Sequence, residues 1–182
     1  MRLDSTLAFV PYGAPLSCVG ATGATFDSSI IDLLGSGVGT APANIIGTAT
    51  VFGQDIGVGG GQPEPTLLIT VGTAFVTSGS ATLNVQLQAS ADTGAPGYTP
   101  SSWTTIVETG TLAAAALTAG AVIGRFDIPP SVASVPNPRF YRLHFVTNSG
   151  QQFSAGTIAF AYPTYVRDDQ ANKNASSNYA VH

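Results

Sequence analysis

The amino-acid sequence predicts an all-β protein, specifically a jelly-roll-like antiparallel β-sandwich of about eight strands with extended terminal arms. Three observations support this fold class. Apolar and polar residues alternate with a period of two along several short segments, which is typical of strands with one buried face. Connections rich in glycine, proline, serine and asparagine separate these segments, and the chain contains 21 glycines and 12 prolines. No long segment shows the 3.6-residue period of an amphipathic helix.

The N-terminal half contains five segments that predict strands, of which the first is the weakest. The clearest is TLNVQLQAS, in which apolar residues alternate with Asn84, Gln86 and Gln88. This alternation predicts an antiparallel strand with one core face and one polar face. In chain order the five segments are Thr6–Val10, Thr25–Leu33, Thr48–Phe52, Thr66–Phe75 and Thr82–Ser90.

The C-terminal half contains four further strand segments. In RFYRLHFVT, the residues Tyr141, Leu143 and Phe145 share one face, and the other face is mixed and includes His144. The apolar run Leu112–Gly124 is too short to span a membrane, and it has room for only one or two helical turns. In chain order the four segments are Trp103–Thr109, Val122–Ile128, Arg139–Thr147 and Gly156–Tyr162.

The connections between the strands predict one domain over residues 1–163. Three of them are long: Leu34–Gly47, Ala91–Ser102 and Ser131–Pro138. Eight strands in two Greek keys with long loops at the ends describe a jelly roll, although a meander or an immunoglobulin-like sandwich also fits the pattern. Residues 164–182 lose the alternation, so we expect an extended or disordered C-terminal tail.

The composition favours a protein that is buried against partners. Charged residues make up 9% of the chain, against about 25% in an average soluble domain, and a weakly charged surface resists association poorly. The formal net charge is −4. Nucleic-acid binding needs clustered cations, so scattered cations argue against a nucleic-acid partner. The six are Arg2, Arg125, Arg139, Arg142, Arg167 and Lys173.

The motifs in the sequence do not point to catalysis. The run Phe52–Pro65 has five glycines but no cation, and a strand follows it, so it fits a turn better than a phosphate loop. The tripeptide at Asp92 resembles that of aspartic proteases, but it is also ordinary turn chemistry. Cys18 is the only cysteine, and we expect it to be a small buried residue. We predict no enzyme activity, no metal and no cofactor, and we interpret His144 as a packed or interface residue.

The aromatic residues leave one binding function open. A sugar-binding jelly roll exposes aromatic rings on a concave face or at loop tips. Tyr98 and Trp103 lie in or beside the long Ala91–Ser102 connection, so they are the candidates for such a site. The alternative is that Trp103 begins a strand and fills the core.

Four segments in order resemble the capsid cement, or decoration, proteins of short-tailed bacteriophages. They are DIGVGGGQPEPTLLITV, ATLNVQLQASAD, LAAAALTAGAVI and RFYRLHFVTNSGQQFSAGTIAFAY, and they extend from about Asp55 to Tyr162. The opening RLDSTLAF is also similar to the start of that family. The resemblance implies a jelly-roll homodimer, made in the host cytoplasm, that binds the outer surface of the capsid. There it would bridge neighbouring coat-protein capsomers, with no nucleic-acid or membrane partner.

We expect the terminal arms to carry the contacts with the capsid or with the second subunit. The alternative for each of these residues is ordinary packing within its own domain. The candidates are Leu3, Leu7, Phe9 and Tyr12 at the start of the chain and Tyr162, Tyr165 and Arg167 near its end.

Overall fold

The computed structural model describes residues 8–33, 66–94, 99–127, 135 and 138–164. This part of the chain is nearly all β-structure, which confirms the predicted fold class. It contains nine strands and one short 3-10 helix at Ala114–Ala116. The strands are β1 (Leu16–Ser17), β2 (Thr25–Asp27), β3 (Ile31–Asp32), β4 (Thr66–Val71), β5 (Thr82–Ser90), β6 (Thr104–Ala113), β7 (Val122–Asp127), β8 (Phe140–Thr147) and β9 (Thr157–Thr164).

The strands form two antiparallel sheets that pack as a jelly roll. The first sheet has the order β1-β9-β4-β7, and the second has the order β2-β8-β5-β6. Strand β3 also pairs with β8, next to β2 along the same edge. Because β2 and β3 act as one interrupted strand, the sandwich has eight strand positions. This strand order is that of two Greek keys, so the jelly-roll prediction is confirmed.

Serine side chains explain why the predicted strand Thr25–Leu33 is divided in two. The backbone N–H of Leu143 donates to the hydroxyl of Ser28 at 2.8 Å instead of to a strand carbonyl. The next N–H, that of Ser29, donates to the carbonyl of Phe9 at 2.9 Å. The side-chain hydrogen bond of Ser28 competes with the strand ladder. The N–H of Ser28 still donates to the carbonyl of Leu143 at 2.9 Å, so the chain leaves the edge of β8 after Ser28 and returns to it at Ile31.

The other predicted strands differ from the observed ones mainly at their ends. Strand β6 extends to Ala113, so part of the apolar run after Leu112 is strand and only three residues form the 3-10 helix. Strand β1 was not predicted. Of the predicted segment Thr6–Val10 the structure describes residues 8–10, which contain a bridge from Val10 to Ala161 and no longer strand. The predicted strand Thr48–Phe52, the glycine-rich run and the tail after Thr164 lie outside the described residues.

The core lies between the sheets and is centred on β5 and β8. The side chains of Leu83, Val85 and Leu87 on β5 are completely buried, as are those of Leu143 and Phe145 on β8. These strands pair over eight residue pairs, from Leu83–Thr147 to Ser90–Phe140. Each of the five residues points inward because side chains alternate across a strand, which is the face that the sequence pattern predicts.

The connections divide the sandwich into two different ends. At one end the links are short, and their backbones bond to one another: Gly23 N–H donates to Gln151 O at 2.8 Å, and Val76 N–H donates to Ala155 O at 2.9 Å. Phe75 and Phe153 also meet edge to face there, with ring centroids 4.9 Å apart. The other end carries the three long connections β3–β4, β5–β6 and β7–β8.

We call the end of the sandwich with the short links the short-turn end. Gly156 lies there and is predicted to be intolerant of a side chain. Its φ is +150°, and a Cβ there would lie 2.5 Å from Cδ1 of Phe75. Gly150 has a φ of +77° but no atom within 4 Å of such a Cβ, so it is the matched control. We expect Gly150→Ala to cost about 1–2 kcal/mol from backbone strain alone. Gly156→Ala should cost about 1–3 kcal/mol more, because Phe75 must leave its contact with Phe153.

Urea unfolding followed by circular dichroism measures both free energies. Equal losses for Gly150→Ala and Gly156→Ala would show that the ring of Phe75 gives way freely and that the packing at this end is loose.

Candidate interaction surfaces

The outer face of the second sheet is polar and ordered. Asn84, Gln86 and Gln88 project from β5 on the side away from the core. The register places Gln86 between His144 on β8 and Glu108 on β6. This face therefore collects side chains from three neighbouring strands, of which the alternation in β5 predicts the polar face of β5 alone.

Hydrogen bonds join these side chains into one network. Asn84 Nδ2 donates to Oε2 of Glu108 at 2.8 Å, and Gln86 Nε2 donates to the same oxygen at 3.1 Å. Gln88 Nε2 donates to Oε1 of Gln86 at 3.2 Å and to the hydroxyl of Thr105 at 3.3 Å. The amide network, as we call these five residues, holds the carboxylate of Glu108 flat against the sheet.

Arg142 extends the polar face towards β2. Its Nε donates to Oε1 of Gln88 at 2.9 Å, and its Nη1 donates to Oδ2 of Asp27 at 2.8 Å. Its guanidinium carbon lies 4.3 Å from the centroid of the Trp103 ring, within the range of a cation–π contact. Nδ1 of His144 lies 2.5 Å from Oδ1 of Asp27. His144 is thus a packed residue of the polar face, in line with its interpretation from the sequence.

The outer face of the first sheet carries a row of aromatic rings instead. Phe160 lies between Tyr12 and Tyr162, with centroid distances of 6.4 and 6.0 Å. The backbone N–H of Tyr12 donates to the hydroxyl of Tyr162 at 2.6 Å, which fixes the N-terminal segment against β9. Tyr12 is 80% exposed. A large ring held at the surface by its own backbone is well placed for contact with another protein.

The predicted contact residues divide into three groups. Phe9 is 2% exposed and Tyr162 is 4% exposed, so both pack within the domain, which is the alternative that the sequence left open. Tyr12 is at the surface. The remaining four, Leu3, Leu7, Tyr165 and Arg167, lie outside the described residues. Sequence reasoning did not predict the amide network; the polar side of TLNVQLQAS was its only signal.

A buried arginine organises the end with the long connections. Arg139 is 3% exposed, and its Nε and Nη2 donate to the two carboxylate oxygens of Asp32 at 2.8 and 2.9 Å. Its Nη1 donates to Oδ2 of Asp92. The hydrogen bonds to Asp32 are the largest contribution that raises the pKa of Arg139 above its usual value. This cluster, the Arg139 clamp, ties β3 and the start of the β5–β6 connection to the start of β8.

The clamp gives Asp92 a structural role. Its Oδ1 accepts a hydrogen bond from the backbone N–H of Gly94 at 3.0 Å, and the residue forms a bridge with Pro100. An aspartate that closes a turn and pairs with an arginine fits the turn interpretation of its tripeptide.

Two further features concern binding chemistry. Within the described ranges, His, Cys, Asp and Glu residues form no group of three or more that could hold a metal ion. Across the same ranges, no helix has the length and apolar character needed to cross a membrane.

Burial raises the pKa of two side chains. Cys18 is 1% exposed, as expected, and burial raises the pKa of its thiol to about 12. Burial also raises the pKa of Tyr141.

Comparison with known proteins identifies a family. Residues 36–161 match the family model Bbp16, and this range is more than half of the 182-residue chain. The chain belongs to the Bbp16 family. The match contains β4 to β8 completely and most of β9, so the family is defined over the greater part of the sandwich. Bbp16 is a phage-related family, which agrees at that level with the resemblance found in the sequence. None of the curated proteins compared with the chain matches it.

The Arg139 clamp is expected to stabilise this Bbp16-family protein strongly. Arg139→Met removes the guanidinium group that bonds to the carboxylates of Asp32 and Asp92 and should lower the free energy of unfolding by about 3–5 kcal/mol. Arg139→Lys should recover only part of that loss, because an ammonium group lacks the planar fork that binds Asp32. Arg142→Met is the control: its partner Asp27 is 46% exposed, so the ion pair contributes about 1 kcal/mol or less. Together with the lost contacts to Gln88 and Trp103, its total loss should stay near about 2 kcal/mol.

Chemical unfolding of the three variants measures these losses. A loss for Arg139→Met as small as that for Arg142→Met would contradict the role assigned to the clamp.

The thiol of Cys18 is predicted to be unreactive in the folded protein. Only the thiolate reacts, and a pKa of about 12 instead of 9.0 leaves far less thiolate at pH 8. The difference corresponds to about three orders of magnitude. Labelling with a thiol-specific disulfide reagent should therefore be very slow in buffer and fast in urea. Labelling at the same rate in both solutions would show that the site opens readily.

Proposed function

We propose that this protein is a structural virion protein that binds the outer surface of a phage capsid and stabilises the shell. In this proposal it bridges neighbouring capsomers of the major coat protein, acts as a homodimer, and catalyses no reaction. The observation that carries the proposal is the match of its sandwich to a phage-related family. The sequence resemblance to capsid cement proteins supplies the more specific role.

The two outer sheet faces support a role in adhesion. The polar groups of the amide network bond mainly to one another, so this face offers a preorganised surface. Interfaces of this kind gain affinity from shape and area together with a few aromatic anchors. Tyr12, 80% exposed, is such an anchor on the other sheet. A chain with only 9% charged residues also has little charge to desolvate when its surface is covered.

A second candidate function is binding of carbohydrate on a virion. The observation that favours it is Trp103, which is half-buried and is linked through Arg142 to the amide side chain of Gln88, the kind of group that binds sugars. Against it, the guanidinium group of Arg142 already covers the Trp103 ring. The other aromatic candidate, Tyr98, lies outside the described residues. Binding to a glycan array without binding to shells would favour this candidate.

Shell binding tests the proposed function directly. Purified protein mixed with empty shells of the coat protein should sediment with them and raise their melting temperature, since a ligand of the assembled state stabilises it. Tyr12→Ala should weaken binding about tenfold or more if the ring is an anchor. The fold should survive this change, because Tyr12 bonds to Tyr162 through its backbone N–H.

Val76→Ala is the matched control, because Val76 is 51% exposed at the short-turn end. It should bind as the parent does. If the parent protein leaves both the sedimentation and the melting of the shells unchanged, the proposal is wrong.

A further inference from the structure

The two sheets end on the same side of the sandwich in strands that each lack a second neighbour. Strand β6 is the last strand of the second sheet, and β7 is the last strand of the first. Among the described residues, β6 pairs with β5 alone and β7 with β4 alone. The outward N–H and C=O groups of an edge strand are a template for pairing with another chain. We call the surface formed by β6 and β7 the open wall.

The opposite side of the sandwich is protected against such pairing. Its strands β1, β2 and β3 contain only two or three residues each. Pro11 and Pro15 interrupt the segment that runs along β9, and Ser28 interrupts the segment that runs along β8. Short strands and prolines are devices that blunt a sheet edge.

Strand β6 of the open wall has few of these protections. Strand β6 has ten residues, TTIVETGTLA, with no proline, lysine or arginine. Its one charged residue, Glu108, is held over the sheet face by Asn84 and Gln86, away from the edge. Two register shifts against β5 twist the strand, so we expect a partner to pair along part of its length.

Apolar side chains along the open wall are incompletely buried. Ile106 and Leu112 on β6 and Ile123 on β7 are half-buried against the core. In contrast, Leu83 on the neighbouring strand β5 is fully buried. Val122 on β7 is 47% exposed. A partner on the open wall would complete the burial of these side chains, which is a favourable change.

The size of the open wall suits a dimer interface at the small end of the usual range. Strand β6 is about 34 Å long and β7 about 20 Å long, and each sheet presents a side roughly 10 Å wide. The resulting area, roughly 540 Å², is about two thirds of the approximately 800 Å² that each partner contributes to a specific interface.

We propose that the open wall binds a second copy of this chain, with β6 antiparallel to β6 of the partner about a two-fold axis. The two second sheets would then form one continuous sheet. A two-fold axis brings the same strand against itself. The single charged residue of β6, Glu108, is bonded to Asn84 and Gln86 of its own sheet, which limits repulsion between the two copies. This inference rests on the homodimer of the proposed function and names the surface that forms it.

The mass of the full-length protein in solution tests the proposed dimer. Light scattering after gel filtration at about 50 μM should give the mass of two chains for the parent. Val122→Asp places a carboxylate in the open wall and should weaken the dimer at least tenfold, because a desolvated like-charge pair opposes association. Val76→Asp is the matched control, since Val76 is similarly exposed, 51% against 47%, but lies at the short-turn end. It should remain a dimer, and matching circular dichroism spectra will show that both variants fold.

Hydrogen exchange distinguishes strand pairing from other modes of dimerisation. Amides of β6 should exchange faster in Val122→Asp than in Val76→Asp, whereas those of β5 should be unchanged. A monomeric parent, a Val122→Asp variant that dimerises as well as the control, or equal exchange of β6 in the two variants would each overturn the inference. A monomeric parent whose β6 amides become protected only on adding coat-protein shells would also overturn it and would assign the wall to the coat protein.

The shell-binding assay keeps the two proposals separate. If the parent dimerises through β6 but does not bind shells, the cement role is wrong and the dimer surface stands. If Val122→Asp and the parent dimerise equally and both bind shells, the dimer surface is wrong and the cement role stands.

Discussion

The pairing of β5 with β8 is the interaction on which the rest of the structure depends. These two strands lie in the middle of the second sheet and pair without a register shift over eight residue pairs. Their inner faces supply the fully buried centre of the core. Their outer faces supply the three amide side chains of β5 and, from β8, Arg142 and His144. A slip of β5 by one residue would exchange the two faces of that strand, so that Leu83, Val85 and Leu87 would face solvent and its polar side chains would enter the core. The core and the polar surface are thus fixed by one register.

The polar side chains of this protein are used mainly to satisfy one another. On the outer face, amide groups and a carboxylate form a connected layer, and at one end Arg139 gathers two aspartates from distant parts of the chain. A buried polar group is stabilising only when its hydrogen bonds are made. With so few charged residues available, the fold places several of them where they join strands or connections. This leaves a surface whose binding properties depend on shape and on a few exposed rings.

The sequence was sufficient to predict the fold class, because the alternation in β5, β8 and β9 is regular and the punctuating residues are clear. It was sufficient also to place Cys18 in the core. It was not sufficient for the Arg139 clamp, because Asp32, Asp92 and Arg139 are far apart in the chain and meet only through the jelly-roll topology. For the same reason the partners of Asn84 and Gln86 were not predicted. Phe9 was misassigned for another reason. The sequence around an aromatic residue near a terminus does not show whether its ring packs in the core or contacts another protein.

The two ends of the β5–β6 connection are hydrogen-bonded to each other, which makes this connection useful for protein engineering. Thr93 N–H donates to Thr99 O, and Ser101 N–H donates to Ala91 O, each at 3.0 Å, so the two ends of this connection are fastened together. The clamp then holds that narrow neck to the domain through Asp92. Chain length beyond such a neck adds little entropic cost and makes no demand on the core. A foreign peptide grafted between Gly94 and Thr99 would be carried on a fixed stem, which makes this position suitable for displaying epitopes.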